Sequence, residues 1–147
     1  MLKKLKDLFI SADVAHENDD NKRLQVSLAA LLVEIARADF DETAEEDNEI
    51  TRILVNYFSV SADEAIALLT EAQVATDDSV SLYEFIRTLH ASLSAEERLK
   101  VIELLWQLAL SDKILNKYED HLVRKIADLM YVPNSDVIRI KNQVLGI

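Results

Sequence analysis

Three observations predict an all-α domain. The chain of 147 residues contains one glycine and one proline, and helices exclude both whereas sheets need them at their turns. Apolar residues recur at helical spacing: Leu24, Leu28, Leu31, Leu32 and Ile35 form one stripe. The third observation is a block written twice. ALLVEIARADFDETAEEDNEITRIL and IELLWQLALSDKILNKYEDHLVRKIA align on Asp39 and Asp112, an offset of 112 − 39 = 73. The same offset pairs Leu31 with Leu104, Leu32 with Leu105, Ala36 with Ala109, Glu46 with Glu119, Asp47 with Asp120, Ile53 with Ile126 and Asp63 with Asp136. The expectation is a compact domain of seven to eight helices over residues 1–147, with two internal three-helix repeats. An N-terminal amphipathic helix covers 1–11, repeat units cover 24–70 and 97–144, and a joining helix covers 81–93.

Taken in order, Met1–Ile10 places Leu2, Leu5, Leu8 and Phe9 on one helical face, with Lys3, Lys4 and Lys6 elsewhere. Such a segment packs its apolar stripe on the domain or lies on a membrane surface, and its shortness favours packing. Ser11–Asn21 is polar and reads as a connector leading to an N-cap. The first long helix is expected over about Asp20–Ala38. The next starts near Thr43 and turns Ile50, Ile53, Leu54 and Tyr57 inward. Ser61-Ala-Asp-Glu64, Ser81-Leu-Tyr-Glu84 and Ser94-Ala-Glu-Glu97 are capping-box patterns that open three further helices. The helix after Ser94 buries Val101, Leu104, Leu105 and Leu108, with Trp106 expected in the core. Asn116-Lys-Tyr-Glu119 caps the next helix, and Asn134 or Ser135 caps the last.

Composition narrows function. Half the residues are hydrophobic and the net charge is −11, a globular balance that argues against nucleic acid, which needs clustered lysine and arginine. Acidity suits cations or a protein partner with a basic surface. No run is long and apolar enough for a membrane span, and no secretory signal is seen, so the cytoplasm is the expected compartment. The absence of cysteine excludes disulfides, thiolate metal sites and a cysteine nucleophile.

Chemistry concentrates where the acids do. Asp39, Asp41, Glu42, Glu45, Glu46, Asp47 and Glu49 lie within eleven residues, and oxygen-only ligands favour calcium or magnesium. The spacing from Asp39 imitates an EF-hand loop but fails it: Ala44 stands where glycine makes the turn, and Ile50 where a bidentate glutamate belongs. Acids in the first turn of a helix are favoured by its dipole, and Glu46 and Glu119 fit the return partner of a capping box after Thr43 and Asn116. Asp39 and Asp112 stand near a helix C-terminus, where the dipole disfavours them. They either cap the following helix or present carboxylates to a cation.

An apolar helix ending in Ala-Asp, then a short stretch to a Glu that opens the next helix, resembles the TerB-like tellurite-resistance family. The segment from Ser111 to Ala127, SDKILNKYEDHLVRKIA, is most similar to its signature. The resemblance spans roughly Leu24–Val144. It implies an all-helical fold, a cytoplasmic role in stress or tellurite-associated systems, and a metal-ion ligand set of Asp39, Glu46, Asp112 and Glu119. Two departures stand out. The family usually follows the Asp with glycine, and this chain has Phe40 and Lys113 there. A side chain restricts a positive φ, and Lys113 places a cation beside Asp112. Leu122 also replaces the first copy's Glu49, which makes the first loop the better cation candidate.

Nothing else in the sequence suggests catalysis. His16, His90 and His121 have no metal-ligand spacing, and one glycine cannot supply a phosphate loop or nucleophile elbow. No Glu-x-x-His pair of a di-iron bundle is present. The expected function is therefore a non-enzymatic binding module whose acidic loops take a divalent metal ion. The alternative is a structural module without metal that contacts a protein or, through residues 1–10, a membrane surface.

Overall fold

The computed structural model describes residues 11–40, 42–78, 81–112 and 115–147, with side chains described from Asp19 onward. The amphipathic segment expected at Met1–Ile10 lies outside the described residues. Within them the chain is all-helical. Seven helices follow one another: α1 (Ser11–Ala36), α2 (Ala44–Phe58), α3 (Ala62–Asp77), α4 (Leu82–Ser92), α5 (Ala95–Ala109), α6 (Lys117–Leu129) and α7 (Asn134–Leu145).

One element departs from the reading of the sequence. Ser11–Asn21 is not a connector but the first part of α1, which runs 26 residues. With neither glycine nor proline in the stretch nothing interrupts the backbone ladder, and a polar composition suits a helix as well as a loop. The last helix also starts differently, with Pro133 at its N-cap and no side-chain cap.

Two helices form the interior. Leu28, Ala29, Ala30, Leu31, Leu32 and Val33 are consecutive and all fully buried, so the middle of α1 is enclosed on every side rather than along one stripe. A helix apolar all round belongs inside a domain. Accordingly α1 contacts α2, α3, α4, α5 and α6. The second interior helix is α5, whose Val101, Ile102, Leu104, Leu105, Trp106, Leu108 and Ala109 are buried against α1, α2, α6 and α7. Trp106 is a core residue, and its indole N–H donates to the Val137 carbonyl at 3.1 Å, which satisfies the one polar atom it buries.

This arrangement decides where the acidic loops go. Ala36 and Ala109 close α1 and α5, and Ala44 and Lys117 open α2 and α6, each pair 73 residues apart. Helices α3 and α7 open 134 − 62 = 72 residues apart. Because α1 and α5 pack together, as do α2 and α5 and α1 and α6, the two loops that follow the interior helices meet at one end of the domain. No described helix is long and apolar enough to cross a membrane by itself.

Candidate functional site

The two loops enclose a cleft of about 520 Å³. Asp39, Thr43, Glu45, Glu46 and Glu49 line it from one side, and Leu108, Ala109, Ser111, Asp112 and Glu119 from the other. Asp39, Glu46, Asp112 and Glu119 therefore share one cavity. Thr43, lining the same cavity, enters as the cap of α2, and Ser111, which donates to the Leu108 carbonyl at 2.8 Å, closes the turn after α5. Neither carries a chemical signal in the sequence.

The local structure explains how each acid arrives. The side chain that caps α2 is Thr43, which accepts from the Glu46 N–H at 3.2 Å, while Glu46 accepts from the Thr43 N–H at 3.1 Å. The Thr43–Glu46 capping box is complete, as is that of Ser94 and Glu97. At α6 the cap is Asn116, which accepts from the Tyr118 N–H at 2.7 Å. The reciprocal half is missing there, so Glu119 does not return to the backbone. Nor are Asp39 and Asp112 the caps of the helices that follow them. The residue immediately before the first helical turn holds that position, and here it is Thr43 or Asn116.

Most of the first loop's charge is answered locally. The Arg37 guanidinium donates to Glu42 at 2.6 Å, to Thr76 at 3.1 Å and to Asp77 at 2.8 Å. Gln73 donates to the other oxygen of Glu42 at 2.7 Å. This clasp ties the end of α1 to α3, and despite partial burial Glu42 stays below the usual carboxylate range through its bonds to Asp47, Arg37 and Gln73. Asp47 is pushed up to about 7, by burial first and then by its bond to Glu42. In its protonated form its O–H donates to the Glu42 carboxylate, while Oδ1 has no partner among the described residues. Glu49 pairs with Arg52 one turn along the helix.

Glu119 is different. It is 6% exposed, and among the described residues no hydrogen-bond donor or cation reaches its carboxylate. Burial raises its pKa to about 8, reinforced by the negative charges of Glu46, Asp39 and Asp112. Glu46 is raised as well, by burial against the pull of its Thr43 bonds, with Asp39 and Asp112 adding to the rise. A carboxylate held in low dielectric beside three others costs free energy unless a proton or another cation joins it. Among the described residues, no three acidic or histidine side chains stand close enough to form a finished coordination shell. A bound ion would have to draw the carboxylates inward.

The loop backbone carries strain. Phe40 adopts a φ of 67°, the left-handed region that glycine enters freely. The departure from glycine seen in the sequence is thus accommodated at positive φ rather than avoided. Phe40 is 90% exposed, and its ring meets Tyr118 edge to face with centroids 6.3 Å apart, joining the two loops.

A family model described as tellurite resistance protein TerB matches residues 25–142, a span that includes both loops. The chain belongs to the TerB family. The all-helical architecture that the residues around Asp112 and Glu119 pointed to is the one this TerB chain adopts. No curated protein and no solved structure matches it.

Proposed function

We propose that this TerB domain is a non-enzymatic binding module whose shared cleft takes a divalent cation. The observation that carries the reading is Glu119, a carboxylate buried with no counter-charge among the described residues and facing Asp39, Glu46 and Asp112. A cation would answer the charge that the described residues leave on Glu119, and the donor set fits the hard ions calcium and magnesium, which take oxygen ligands. Asp39, Glu46, Asp112 and Glu119 would hold the ion, with Glu45 at the edge of the cavity. Bound there, the ion would supply positive charge between two loops whose acids otherwise repel. It would link α1–α2 to α5–α6, making the domain stiffer and its acidic end less negative. Membership of the TerB family supports placing this module in a tellurite or stress response.

Thermal unfolding in chelator and then with calcium, magnesium, manganese or zinc tests this directly. At about a hundred times its dissociation constant a ligand adds ~2.7 kcal/mol, a rise of roughly 5–11 °C for a domain of this size. One metal should produce that rise in the wild type and not in Asp39→Asn or Glu119→Gln. If no metal raises Tm, the cleft is not a metal site, and the alternative of a metal-free protein-interaction module takes over.

A further inference from the structure

The cleft has a second character that a metal ion would not use. Phe40 follows Asp39 and Tyr118 precedes Glu119, two residues that line it; the two rings meet edge to face, the first almost wholly exposed and the second about half exposed. Holding a phenylalanine at positive φ is costly for a residue with a Cβ, and so exposed a ring buries almost nothing in return. A cavity lined by a nine-tenths buried carboxylate that no donor or cation among the described residues reaches, with exposed aromatic side chains next in sequence to its lining acids, fits a segment that carries both cations and apolar side chains.

The chain contains a segment of that kind. Met1–Ile10 holds Lys3, Lys4 and Lys6 against Asp7, a net charge of 3 − 1 = +2, together with Leu2, Leu5, Leu8 and Phe9. The other 137 residues then carry −11 − 2 = −13, so the segment is attracted to the body of the protein. Its own cleft is out of reach. Helix α1 runs 26 residues from Ser11 to Ala36, about 39 Å at 1.5 Å per residue, and the cleft lies at its far end. Lys3 precedes Ser11 by eight residues, which span at most about 28 Å when fully extended.

We propose that the acidic cleft of one copy receives the basic Met1–Ile10 segment of a second copy. Lysine ammonium groups enter toward Glu119 and its acidic neighbours, and the leucine and phenylalanine side chains lie against Phe40 and Tyr118. The contact joins unlike surfaces, so its repetition closes into a dimer or ring where the rotation between copies closes and builds open head-to-tail chains where it does not. The inference rests on reading the cleft as an acceptor of cations, but it needs no metal: lysines and a metal ion compete for the same carboxylates.

Sedimentation equilibrium of the full chain in chelator at low salt tests it. The weight-average mass should climb from the 16.7 kDa monomer to at least double as loading concentration rises, and fall back when salt is added. The triple variant Lys3→Gln, Lys4→Gln, Lys6→Gln and the single variant Glu119→Gln should stay monomeric, with helical circular dichroism unchanged. A wild type that remains monomeric at every loading overturns the proposal, and so does a triple variant that associates like the wild type. Monomeric wild type that co-sediments with vesicles of phosphatidylcholine and phosphatidylserine also overturns it, and assigns the segment to a membrane surface. The triple variant keeps the cleft, so the metal-dependent rise in Tm is scored on it separately. A rise without association leaves the metal reading standing alone, and association without a rise leaves the self-docking reading standing alone.

Discussion

The two inter-helix loops make an instructive pair, because the one with more acids has its charge better answered by its neighbours. Between Asp39 and Glu49 the sequence places seven carboxylates, yet Glu42 is held by Arg37 and Gln73, Glu46 by its capping box and Glu49 by Arg52. Asp47, pushed up to about 7, is bonded to Glu42. Among the described residues, the acids that the second loop brings to the cleft are Asp112 and Glu119, and Glu119 is buried with no donor among those residues. Charge count along a sequence measures long-range potential, whereas the free energy of a carboxylate is set by burial and by what touches it. The expectation that the first loop is the better cation candidate gives way to a single cleft whose most perturbed group comes from the second.

The sharpest way to break this contrast is to neutralise Glu119. In the folded chain Glu119 holds its proton up to about pH 8, whereas in the unfolded chain it releases it near pH ~4.3. Between those values the folded state binds more protons, so stability falls as pH rises, and the full penalty is present above pH 8. Glu119→Gln should therefore stabilise metal-free protein by about 2–3 kcal/mol at high pH. The gain should vanish in acid, as denaturant unfolding at several pH values will reveal. A residual downward slope toward neutral pH should survive in the variant, because Asp47 titrates in the same sense at about 7. A variant no more stable than wild type at high pH would mean that Glu119 has a counter-charge after all.

Next in size is Arg37→Ala, which removes the clasp of the first loop. Glu42 would be left partly buried with Gln73 and Asp47 alone, at a loss of about 2 kcal/mol. If the first loop is as well satisfied as its contacts indicate, Lys117→Ala beside the second loop should cost far less in the same urea titration. Thr43→Ala should lower stability by about 1 kcal/mol, the usual cost of a lost N-cap. Asn116→Ala should cost less, because its box is half formed. The smallest effect is Phe40→Gly. It relieves the positive φ and loses little burial, so a gain of about 0.5–1 kcal/mol is expected. Self-association through the Phe40 ring should weaken at the same time.

Much of the candidate site is legible in the amino-acid sequence, for identifiable reasons. Asp39, Glu46, Asp112 and Glu119 stand out because a 73-residue offset aligns them, and an offset is a one-dimensional property. Their partnership is not legible in this way. Thr43-Ala-Glu-Glu46 and Asn116-Lys-Tyr-Glu119 are the same pattern along the chain, but one closes a capping box and the other does not. Arg37 is silent in the sequence because its partners Gln73, Thr76 and Asp77 lie on α3, brought near only by packing. Ser11–Asn21 reads as a connector because loops are polar, although a helix can be equally polar.

By itself the sequence determined that the chain is helical, where most helices begin and which residues fill the core. Glycine and proline scarcity, apolar periodicity and side-chain caps act over one or two turns, and short-range rules suffice for them. Only the tertiary structure decided that α1 is enclosed on all sides, that two loops make one cleft, and that Glu119 is the carboxylate left without an answer among the described residues. Those outcomes depend on which helices pack together, and burial and Coulomb energy depend on distance in space rather than on distance along the chain.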